Sequence, residues 1–141
     1  MMTVSDTARE TFRGLADLLI PKTETMPSGS EICVHGPVLD KILGIRPDLQ
    51  PPFNRGVERA VGLDPAVARD LLDREDRPAL IAIGLVASLA FYMDPVARRA
   101  IGYPGQERRP VQPGEESDIW EGGMVQRVID RGPIFRPTPA A

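Results

Sequence analysis

The chain of 141 residues has one cysteine, one histidine and one tryptophan, and only 5% of it is aromatic. A lone thiol, Cys33, rules out an internal disulfide, so cysteine usage demands no oxidising compartment. The ordinary role of such a residue is that of a small buried hydrophobe. The lone imidazole, His35, stands two positions away in C-V-H, which falls short of the ligand set a zinc site needs. An excess of charge is lacking too. Against 17 basic residues stand 20 acidic ones, a net charge of -3 with no long run of either sign, which excludes the clustered Lys and Arg on which nucleic-acid binding depends. No G-x-G-x-x-G follows a strand and no G-x-x-x-x-G-K-[ST] occurs, so the dinucleotide and triphosphate fingerprints are both missing.

The first residues, MMTVSDTARETFRG, have neither a basic region leading into an apolar run nor a twin-arginine pair. The expectation is therefore a cytoplasmic chain, or a periplasmic one if a partner's signal carries it. The only long apolar run, Pro78 to Met93, would be roughly 24 Å long as a helix against a hydrocarbon core of about 30 Å. It reads as a central buried helix, polar only at Ser88 and the Tyr92 hydroxyl, with Gly84 and the alanines letting neighbours approach, and not as a membrane span.

What the sequence does have is helix punctuation. Thr7 and Glu10 have capping-box spacing, and Ala8, Phe12, Leu15 and Leu19 then share a face, predicting a helix to about Ile20 that Pro21 stops. A polar, breaker-rich loop follows. Ser30 is placed to cap a second helix within Glu31 to Leu43 on Val34, Val38, Leu39 and Ile42, delayed or kinked by Gly36-Pro37. Phe53, Val57, Ala60 and Val61 mark a third helix ending at Gly62. Asp64-Pro65, Asp76-Arg77-Pro78 and Asp94-Pro95 spell three further starts, each an acidic cap with proline in the first turn. The fourth helix carries Val67, Leu71 and Leu72, and the sixth, a short one, Val96, Ala97 and Ile101. No run alternates as a strand would. The predicted fold is all-α, a compact bundle of five or six helices over residues 1–103 with an extended proline-rich tail over 104–141.

The tail holds six of the fifteen prolines and the only tryptophan. One short helix is predicted near Met124 to Asp130, between Gly122-Gly123 and Gly132-Pro133. With few regularly spaced apolar positions, such a segment lies on another surface, folds back over the chain's own helices or stays unfolded. Extended, some 30 residues would reach roughly 90 Å, enough to cover a neighbouring protein. Catalytic groups are not evident. Asp73, Glu75 and Asp76, interleaved with Arg74 and Arg77, read as a solvated helix end and cap. Arg98 and Arg99 suit the last turn of their helix, or a charged rim beside aromatic anchors at Tyr103 and Trp120.

Two separated patterns, Leu15-Ala16-Asp17-Leu18-Leu19-Ile20-Pro21 and Ile101-Gly102-Tyr103-Pro104-Gly105, resemble those of gluconate 2-dehydrogenase subunit 3. The resemblance covers about Phe12 to Phe135. It implies a non-catalytic small subunit that binds and stabilises a large FAD-dependent oxidoreductase of the glucose-methanol-choline type, which oxidises a sugar, glycoside, sugar acid or other alcohol. The FAD would sit in the partner and no cofactor in this chain, with a cytochrome c as a further partner. Many relatives carry an export signal, and this chain departs from them there. The expected interface residues are Tyr103, Pro104, Trp120, Ile134 and Phe135. Two other readings fit the composition: a freestanding helical adaptor or ligand-binding protein, and a small cofactor-free enzyme built on His35.

Overall fold

The computed structural model describes residues 4–103, 105–106 and 125–132. The chain divides into two units, Met1–Gly105 and Gln106–Ala141. The first is all-α, and no strand occurs among the described residues. It comprises α1 (Asp6–Leu19), α2 (Pro37–Ile45), a 3-10 turn (Pro47–Leu49), α3 (Gln50–Ala60), α4 (Pro65–Glu75), α5 (Arg77–Met93) and α6 (Pro95–Ala100).

The three acidic caps form as their sequence dictates. Asp64 accepts the N–H groups of Ala66 and Val67, Asp76 that of Ala79, and Asp94 that of Val96, at 2.7–3.4 Å. Each satisfies donors that a helix start leaves free. The first helix departs from expectation. Its cap is Ser5, whose hydroxyl accepts the Ala8 N–H at 3.3 Å, two residues ahead of the Thr7–Glu10 pair. Ser5 has extended backbone suited to a cap, and its use leaves the acidic Asp6 in the first turn, where the helix dipole favours it.

The second helix begins later than Ser30 suggests. Gly36 is its cap residue and Pro37 its first, because a residue before proline is pushed out of the helical region. Cys33, at φ 56°, breaks any earlier helical run. Ser28 and Glu31 instead exchange hydrogen bonds like a capping box, the Ser28 N–H donating to Glu31 and the Glu31 N–H to the Ser28 hydroxyl. Arg9 of α1 then fastens the start of α2. Its Nη1 donates to the carbonyls of His35 (2.9 Å) and Gly36 (3.1 Å), and its Nη2 reaches both Asp40 oxygens at 2.7 Å.

Around α5 the core closes, with α1, α2, α3, α4 and α6 all in contact with it. Phe12, Leu15, Leu39, Phe53, Val57, Leu72, Ile83, Val86 and Phe91 are buried, each such large side chain contributing about 1.5–3 kcal/mol by leaving water. Phe12 and Phe53 meet edge to face, 5.1 Å between centroids at 74°, a favoured aromatic geometry. The closest helix approach lies between α3 and α5 at Gly56, where an added Cβ would come within 2.9 Å of the Ala79 Cβ and the Ile83 Cδ1. Five expected core positions lie outward. Val61 follows the end of α3, Val67 is replaced by Ala68 on the buried side of α4, and Leu19, Val96 and Ile101 are solvent-facing.

The central helix is only half buried, contrary to the fully buried helix expected from its long apolar run. Ala79, Ala82, Ile83, Val86, Ala87, Ala90 and Phe91 face the core, whereas Ile81, Leu85, Leu89 and Tyr92 are exposed. Gly84 lies beside that exposed row and meets nothing among the described residues within 4 Å, so it is not the glycine of close approach.

In the second unit α7 (Gln126–Arg131) falls where a short helix is predicted. Gln126 Nε2 donates to Asp130 Oδ1 one turn on, and Gly132 (φ 67°) ends the helix. Its Val128 and Ile129 are exposed, and Met124 lies outside the described residues.

Candidate partner interface

The Ile101-Gly102-Tyr103 part of the second motif is a complete Schellman helix ending. The Gly102 N–H donates to the Arg99 carbonyl at 3.0 Å and the Tyr103 N–H to the Arg98 carbonyl at 2.9 Å, with Gly102 left-handed at φ 68°. These bonds satisfy carbonyls that the end of α6 would otherwise leave free. They also fix where Tyr103 leaves the helix. Tyr103 is 51% exposed. Arg98 and Arg99 occupy the last turn of α6, where cations suit the dipole. Arg99 is exposed, while Arg98 is half-buried, its Nη1 4.0 Å from the place a Cβ on Gly105 would take. The Arg98 Nε is buried and has no hydrogen-bond partner among the described residues. Of the five expected interface residues only Tyr103 is described; Pro104, Trp120, Ile134 and Phe135 lie outside the described residues.

The first motif is equally explicit. Leu15 and Ala16 are buried, and a Cβ on Gly29 would come within 3.2–3.3 Å of Ala16. Asp17 accepts the Ser30 N–H at 2.7 Å. Burial pushes its carboxyl up, but hydrogen bonds from Ser30 and Ser28 outweigh that and leave it below the ordinary value. Ile20 ends α1, donating to the Ala16 carbonyl and accepting the Gly29 N–H. The motif therefore folds the loop after Pro21 back onto α1.

The chain matches no protein-family model, curated protein or solved structure with which it was compared. The resemblance to gluconate 2-dehydrogenase subunit 3 accordingly rests on the two motifs, their order and their spacing.

Chemistry elsewhere is sparse. Cys33 is exposed, not buried, and sits on a turn where its side chain and that of His35 have no helical relationship. His35 lies just before the start of α2, as its place in the sequence suggests, and its carbonyl is held by Arg9. Among the described residues no three of His, Cys, Asp and Glu gather to hold a metal ion. Asp76, far from being solvated, is largely covered by Arg55, whose Nε donates at 2.6 Å. That bond holds its carboxyl below the ordinary value, the wrong direction for a proton donor at neutral pH. Among the described residues no helix is long and apolar enough to cross a membrane. A cleft of about 400 Å³ lies between α2 and the α5–α6 junction, lined by Cys33, Val38, Lys41, Met93, Asp94 and Pro95 among others.

The outward row of α5 has no signature in the sequence. A helix apolar all round gives no periodic signal of which side faces out, and the available hint is the pair Gly84 and Ser88, four residues apart.

Proposed function

We propose that this chain is a non-catalytic small subunit that binds and stabilises a large FAD-dependent oxidoreductase of the glucose-methanol-choline type, acting on a sugar or other alcohol. The observation that carries the reading is the Schellman ending at Gly102, which gives the Ile-Gly-Tyr-Pro-Gly motif a concrete structural role, since it terminates α6 and holds Tyr103 outward. Rigid, half-exposed aromatic side chains are favoured interface anchors. The exposed apolar side chains of α5, α6 and the turn, namely Tyr92, Val96, Ile101 and Tyr103, add to this support. Flavin, catalytic base and substrate pocket belong to the large chain, and a cytochrome c is a further partner by resemblance. Pro104, Trp120, Ile134 and Phe135 are proposed as additional anchors.

The test is expression with and without the flavoprotein encoded nearest to this chain, followed by mass and visible absorbance of the purified material. A yellow heteromer, with the large chain insoluble or flavin-poor when alone, is the expected result. A colourless, stable monomer that leaves the flavoprotein unaffected would overturn it. The cleft beside Lys41 favours a second reading, a freestanding adaptor for a small ligand, since its size falls within the range of ligand pockets.

A further inference from the structure

We draw no further inference here: the strongest candidate, the cleft between α2 and the α5–α6 junction, has both Lys41 and Asp94 in its apolar lining and so selects no ligand charge, and nothing in the structure shows what fills it.

Discussion

The Ser30 backbone N–H donates to the Asp17 carboxylate at 2.7 Å, joining the end of α1 to the far end of the loop that Pro21 begins. The Gly29 N–H donates to the Ile20 carbonyl beside it, and Gly29 lies against Ala16. A short, breaker-rich loop is thus held at both ends by residues of one heptapeptide. The Asp17 carboxyl lies below its ordinary value of 3.8 in the folded chain. A lowered native value means stability that is present above 3.8 and is lost as pH falls through the lower folded value. Asp17→Asn keeps an acceptor oxygen but loses the charge. Its deficit in urea unfolding is expected to be constant around neutral pH and to shrink as the medium is acidified below 3.8. A deficit independent of pH would show that the carboxylate's charge is not what stabilises the loop.

The two helical glycines are expected to respond in opposite directions. At Gly56 an added Cβ lies 2.9 Å from atoms of Ala79 and Ile83, and Ala79 has no flexible side chain with which to yield. Gly56→Ala should therefore destabilise the chain by about 1–3 kcal/mol through overpacking. At Gly84 nothing among the described residues comes within 4 Å of an added Cβ, and the backbone is helical. Gly84→Ala should stabilise it by about 0.5–1 kcal/mol. Urea midpoints of the two variants against the native chain check both signs.

Phe53 is fully buried and packs edge to face with Phe12, joining α3 to α1. Phe53→Ala is expected to cost about 3–5 kcal/mol, a large part of the roughly 5–15 kcal/mol that holds a typical domain folded. Phe53→Leu, which fills more of the space, should cost clearly less. Equal losses in thermal unfolding would mean that volume is not what this position supplies.

The sequence makes some of these features plain and hides others. The Asp64, Asp76 and Asp94 helix starts are legible because capping is local: one carboxylate bonds amides two or three residues ahead. Ser5 in place of Thr7 is the same chemistry displaced by two residues, where several hydroxyls compete. What periodicity cannot resolve is orientation in α5, because apolar residues occupy both of its sides. The close approach expected at Gly84 accordingly occurs on the neighbouring helix, at Gly56. The ion pair of Arg55 with Asp76 joins α3 to the start of α5 across 21 residues, and no local pattern announces it. Of the expected interface, Tyr103 is visible through its turn geometry, since Gly102 is the residue type that a left-handed helix ending favours.

That turn supplies the last prediction. Gly102 holds φ 68°, where a Cβ costs about 1–2 kcal/mol. Gly102→Ala should lose stability of that order and, by misdirecting Tyr103, weaken the proposed complex with a flavoprotein. Gly102→Asn, which tolerates the left-handed conformation, should retain most of both. Tyr103→Ala separates the two effects. The residue is half exposed, so removal should leave the free chain's urea midpoint nearly unchanged while lowering recovery of the proposed heteromer. Full recovery of the heteromer with Tyr103→Ala would remove this residue from the interface and leave Gly102 with a purely local role in ending α6.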